Sequence, residues 1–201
     1  MKVLANDGVS QSGIDKLESA GFEVITTKVA QEQLINYLNE NKVDVILVRS
    51  ATKVRKDIID ACPDLKIIGR GGVGLDNIDV EYAKEKGVKV INTPAASSAS
   101  VAELVVAHLL SGVRFLKNAN RDMPLEGESK FKELKKSYAK GVELKGKTLG
   151  VIGFGRIGQA TAKVALGLGM KVIAADAFLE EATIELDFFD GQTVDFNIKT
   201  I

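Results

Sequence analysis

Cysteine occurs once in this 201-residue sequence, as Cys62, and histidine once, as His108. A single cysteine excludes a disulfide framework and a Cys-built metal cluster, so no metal site is expected. Charge of one sign is also lacking, because 27 Lys and Arg balance 27 Asp and Glu. Nucleic-acid and membrane-surface binders carry a basic surplus, so neither partner is expected. No apolar run approaches the ~18 residues of a membrane span. The start MKVLAND has one lysine and no long apolar stretch, unlike a secretory signal. A reducing, cytoplasmic location is the resulting expectation. Internal repeats and low-complexity segments are absent as well.

What is present is alternation. Short β-rich runs, KVLAN (2–6), FEVIT (22–26), VDVILV (43–48), LKIIG (65–69) and VKVIN (88–92), are separated by helical patterns. Ser10 is set to cap the first helix, Gly21 to end it, and Pro63 to stop the third. Strand–helix alternation predicts a parallel sheet with right-handed crossovers. Residues 1–97 therefore read as a five-stranded α/β unit.

Residues 98–118 differ, because apolar side chains cover most of the helical circumference, which predicts a helix buried between domains or subunits. Ser98 or Ser100 could cap it, and Ser100 with Glu103 matches a capping box. His108, amid Val, Ala and Leu, reads as a partly buried structural residue. Residues 120–146 have weak periodicity and read as a connecting loop with some helix; their lysine run reads as a solvated face. A strand (147–153), a helix and a second strand (171–176) then form one βαβ unit. Two alternating runs around Asp190-Gly191 predict a closing β-hairpin. A sheet of only two parallel strands would leave faces to be covered.

The run LGVIGFGRIGQ (149–159) contains G-x-G-x-x-G between the first of these strands and the helix. Asp176 ends the second strand 18 residues past Gly158, near the ~20 of a dinucleotide fingerprint. Gly153 would make the tight turn, Gly155 admit a pyrophosphate, and Gly158 pack helix on strand. The helix start offers N–H groups to phosphates. Asp176 can accept from ribose hydroxyls and would repel a 2′-phosphate, which favours NAD over NADP.

Ligands in open α/β sheets gather at the carboxyl ends of strands. Arg49 and Ser50 end one strand, and Arg70 ends the next, ahead of the glycine-rich loop 71–74. An arginine fork and exposed loop N–H groups suit an anionic small molecule. Cys62 has no base nearby in sequence and reads as structural. Tyr82 and Lys86 match a Tyr-x-x-x-Lys pair, but that pair follows the glycine fingerprint in short-chain dehydrogenases and here precedes it.

Four stretches, VRSATKV (48–54), IGRGGVGLDNIDVEYAKEKGVKVINTP (68–94), SVAELVVAHLL (100–110) and ELKGKTLGVIGFGRIGQATAKVALGLGMKVIAAD (143–176), together resemble the D-isomer-specific 2-hydroxyacid dehydrogenases. Within that family RSATKV and GRGGVGLDNID are most like the D-3-phosphoglycerate dehydrogenase branch. The resemblance implies a flavodoxin-like substrate domain (1–97) followed by a truncated Rossmann NAD-binding domain (98–201) with an inter-domain helix at 98–118. It implies that Arg49, Ser50, Arg70, Gly71, Gly72 and Gly74 face a 2-hydroxy acid, with Val73 on the nicotinamide side. Gly153, Gly155, Arg156, Ile157 and Gly158 would hold the pyrophosphate, and Asp176 the ribose. The intact enzyme would be a homodimer oxidising D-3-phosphoglycerate to 3-phosphohydroxypyruvate, the entry to serine synthesis. A glyoxylate/hydroxypyruvate reductase, a D-lactate dehydrogenase and a non-catalytic NAD-responsive binding protein are the alternatives. The family uses a His, a carboxylate and an Arg in the second half of its nucleotide domain. Nothing after Gly158 here is Arg or His, so the chain reads as a fragment without catalytic residues, with weak NAD binding or none. The family often has Asn where Ser97 stands.

Overall fold

The computed structural model describes all 201 residues, which form two compact units, Met1–Ser97 and Ser98–Ile201. The first has five parallel strands, β1 (Lys2–Ala5), β2 (Glu23–Ile25), β3 (Val45–Val48), β4 (Ile67–Arg70) and β5 (Lys89–Asn92), in the order β2-β1-β3-β4-β5. That order is flavodoxin-like. Four helices connect them: α1 (Gln11–Ser19), α2 (Leu34–Glu40), α3 (Lys56–Ala61) and α4 (Val80–Glu85). The Ser10 hydroxyl accepts from Gly13 N–H at 3.3 Å, and Gly21 takes φ +85° just past the helix end. Leu4, Leu34, Ile46 and Ile68 are fully buried in one core; each such side chain contributes about 1.5–3 kcal/mol. The register pairs Ala5 with Leu47, Leu47 with Gly69 and Gly69 with Ile91. Four strands therefore end level, and their following loops share one edge.

The second unit begins with α5 (Ser98–Val113). Both candidate caps, Ser98 and Ser100, lie inside its first turn. The helix is shorter than 98–118 because Phe115 takes a left-handed φ of +56° and breaks it. It is also less buried than its composition implies: only Ala102 and Val106 are covered, while Leu104, Val105 and His108 are exposed. Apolar residues on all sides do not say which side meets a partner. Here Leu109, Leu110 and Val113 pack toward Leu144, Ala165 and Met170, while Leu104 and Val105 stay open.

Where a connecting loop with some helix is expected over 120–146, helix prevails, forming α6 (Leu116–Tyr138). The helix bends at Lys130 (φ −121°, ψ 23°). The Tyr138 hydroxyl donates to Asp122 Oδ2 at 2.6 Å; in a straight helix these residues would stand ~24 Å apart. α6 is therefore a helical hairpin with no buried residue. Its weak periodicity reflects that absence of a core face.

β6 (Thr148–Ile152), α7 (Arg156–Gly167) and β7 (Lys171–Ala175) make the parallel βαβ. β8 (Glu181–Asp187) and β9 (Thr193–Lys199) form the antiparallel hairpin, with Gly191 at φ +80° in its turn. Ile184 and Ile198 of the hairpin join Phe154, Ala162 and Ala174 in a small core. Beyond β9, Ile201 N–H donates to Ala174 at the edge of β7. The sheet face away from α7 is open, with Ile152 94% exposed.

Candidate functional site

The chain leaves β1 toward β2 and leaves β3 toward β4, in opposite directions along the sheet, so a crevice opens between the loops after β1 and β3. A cleft of about 220 Å³ lies at these strand ends, lined by Gly8, Val9, Arg49, Gly71, Asn92 and Thr93 among others. Arg49 is exposed at its mouth, and Lys28, Arg49 and the exposed Ser50 line an adjoining recess. Lys28 is a second cation that the strand-end argument overlooked. The signal was there, since it closely follows the second β-rich run.

The mouth rests on a polar network with no motif to announce it. Asp7 accepts from the N–H groups of Arg49 (2.7 Å) and Thr52 (3.1 Å) and from the Thr52 hydroxyl (2.7 Å). Burial alone would raise the Asp7 carboxyl, but these donors outweigh it and hold the group below its ordinary value. Asn6 donates to Thr52 Oγ1 (2.8 Å) and to the Val29 carbonyl (3.1 Å), and accepts from Val29 N–H. Asn77 donates to the carbonyls of Arg49 (2.8 Å) and Thr52 (2.6 Å).

Arg70 is not a free anion fork. Its guanidinium donates to Asp76 at 2.7 Å and to the Gly74 carbonyl, and its side chain is only 12% exposed. Acceptors four and six residues away on the same loop close a contact at small entropic cost. The Arg70 guanidinium in turn holds the Asp76 carboxyl below its ordinary value. The glycine loop is also less open than its composition implies. Gly71 N–H donates to Val48 and Gly72 N–H to the Arg70 carbonyl, whereas those of Val73 and Gly74 have no protein acceptor. Asn92 steadies this loop by donating to the Val73 carbonyl at 2.7 Å.

The second unit carries the glycine fingerprint. Gly153 takes φ +87°, which favours glycine. A Cβ on Gly155 would meet nothing within 4 Å, so a ligand can approach its backbone. A Cβ on Gly158 would lie 2.2 Å from the Gly153 carbonyl oxygen. Arg156 and Ile157 are exposed in the first turn of α7, where N–H groups have no helical acceptor. Phe154 N–H donates to Asp176 Oδ2 at 2.6 Å, and Phe178 and Leu179 N–H donate to Oδ1. These backbone donors, Phe178 first, hold the Asp176 carboxyl below its ordinary value. Oδ1 is saturated, while Oδ2 keeps one lone pair for a hydroxyl donor. Open space at Gly155, free N–H groups at the start of α7 and an ionised Asp176 fit a dinucleotide.

The other reactive side chains are engaged or remote. Cys62 is buried, which pushes its thiol pKa up. Tyr82 donates to Asp60 at 2.7 Å, and Lys86 pairs with the same carboxylate at 2.6 Å. His108 is exposed mid-helix rather than partly buried. Ser97 is half-buried at the end of the first unit.

Residues 3–195 match the family described as D-isomer specific 2-hydroxyacid dehydrogenase, catalytic domain. The chain is 45% identical over 194 residues to a hydroxypyruvate reductase of Thermotoga maritima, covering 96% of this chain and 61% of that one. It is 42% identical over 185 residues to a D-3-phosphoglycerate dehydrogenase of Methanocaldococcus jannaschii, covering 92% and 34%. It thus spans less than two thirds of the length of either relative. Among solved structures, a cofactor (NAD+)-bound 3-phosphoglycerate dehydrogenase of Entamoeba histolytica superposes with a TM-score of 0.66 at 32% identity, over 89% of this chain and 55% of that one.

Proposed function

The chain belongs to the D-isomer-specific 2-hydroxyacid dehydrogenase family, and from that premise we propose that its first unit binds the acid and its second binds NAD. The whole reaction served is oxidation of D-3-phosphoglycerate to 3-phosphohydroxypyruvate. The observation that carries this reading is that Arg49 and Lys28 line one recess at the strand ends. Two cations suit an acid with two anionic groups. The guanidinium and the free N–H groups of Val73 and Gly74 take the carboxylate, and Lys28 takes the phosphate. In the second unit the first turn of α7 takes the pyrophosphate and Asp176 the ribose, which disfavours a 2′-phosphate. A nicotinamide held there would supply the hydride acceptor for C2 of the hydroxy acid.

The hydroxyl proton needs an acceptor. Asp7, beside Arg49, is a poor one, since its ionised form is held by three donors, at least one of which protonation would displace. The chain's own residues at the cleft therefore bind and orient the acid.

The resemblance to a hydroxypyruvate reductase at 45% identity favours a second reading, in which the acid is not phosphorylated. Calorimetry of the chain with D-3-phosphoglycerate and with D-glycerate separates the two. The phosphorylated acid is expected to bind about tenfold more tightly, and Lys28→Ala to erase the difference. Equal affinities would favour the reductase reading.

A further inference from the structure

We infer that Asp7 and Asn77 are positioning residues for Arg49, clamping its backbone so that its guanidinium faces the acid; this rests on the proposed acid-binding role of the cleft. Arg49 is the first residue beyond β3, where a chain leaving the sheet must find new partners for its N–H and C=O. Both are supplied by side chains distant in sequence. Its N–H donates to Asp7, 42 residues away, and its carbonyl accepts from Asn77, 28 residues away. Thr52, at the other end of the turn, is held identically: its N–H donates to Asp7 and its carbonyl accepts from Asn77. One carboxylate and one amide therefore grip both ends of residues 49–52, leaving Arg49 and Ser50 exposed on the outside.

The chemistry of the two grips is complementary. Asp7 meets only donors, so an ionised carboxylate fits and an amide would set N–H against N–H. Asn77 meets two carbonyls with its NH₂, so a carboxylate there would set oxygen against oxygen. The orientation is maintained even though Asn77 Oδ1 is left buried without a partner. Asn6 backs the arrangement through the Thr52 hydroxyl, which accepts from Asn6 and donates to Asp7.

Charge and position make opposite demands on Asp7. Removing a negative charge from the mouth of an anion site should tighten anion binding, whereas releasing the Arg49 backbone should weaken it. The experiment is a double-mutant cycle on the full 201-residue chain, with D-3-phosphoglycerate as the calorimetric probe and melting followed in parallel. Asp7→Asn is expected to weaken binding about tenfold. In an Arg49→Ala background the same change should alter affinity less than about twofold, because the residue acts through Arg49. Thr52→Val, which removes one donor to the clamp while keeping the side-chain shape, is expected to give about a threefold loss and stands in if Asp7→Asn does not fold. Tighter or unchanged binding by Asp7→Asn, or an equal loss in both backgrounds, overturns the inference and leaves the acid-binding reading intact. Failure of the unaltered chain to bind the probe overturns that reading and the inference with it.

Discussion

Replacing Gly158 with alanine is expected to destabilise the second unit by about 3 kcal/mol. The added Cβ would stand 2.2 Å from the Gly153 carbonyl oxygen and 3.1 Å from Val151 Cγ1. Both obstacles belong to β6 and its turn, and a backbone oxygen has no rotamer into which it can retreat. α7 would have to lift from β6, loosening Ala162 and Ala165, which are buried on the same helix. Calorimetric melting should show that unit's transition fall by roughly 15 °C. Gly155→Ala is the control, because a Cβ there meets nothing within 4 Å and its φ of −70° suits alanine. It should melt like the unaltered chain while losing nucleotide affinity. Equal melting of the two variants would contradict the close packing of α7 on β6.

The second large effect is on rate. The 201-residue chain, given saturating NAD and D-3-phosphoglycerate, is expected to produce no NADH above background. Loss of a general base alone costs about 10²- to 10⁴-fold. His108, the sole histidine, lies exposed on α5 of the second unit, and the first unit has none. Asp7 lines the recess adjoining the cleft but is held as an acceptor of three hydrogen bonds. Absorbance at 340 nm that grows in proportion to protein concentration would show that a proton acceptor is present after all.

The sequence disclosed those parts of the molecule that follow local rules. The five strands were legible because runs such as VDVILV are apolar on both faces, as a sheet covered by helices requires. The order and spacing of Gly153, Gly155, Gly158 and Asp176 were legible because a tight strand–helix turn constrains them over a short span. Contacts closed by the fold were not legible. The engagement of Arg70 with Asp76 depends on the path of a six-residue loop, and nothing in GRGGVGLD states that path. The Asp7–Thr52–Asn77 network joins three loops through pairings 25 to 45 residues apart. The return of Tyr138 to Asp122 turns on a bend at Lys130, which is neither proline nor glycine. The exposure of His108 depends on which side of an all-apolar helix finds a neighbour.

The most direct measurement of the account is a titration of the ¹⁵N-labelled chain with NAD, followed through backbone amide resonances. The account predicts weak, saturable shifts concentrated at residues 153–158 and at Phe178 and Leu179, whose N–H groups are tied to Asp176. It predicts about tenfold weaker binding of NADP, whose 2′-phosphate meets the Asp176 carboxylate. Shifts confined to other residues, none at all up to several millimolar NAD, or equal affinity for the two nucleotides would contradict it.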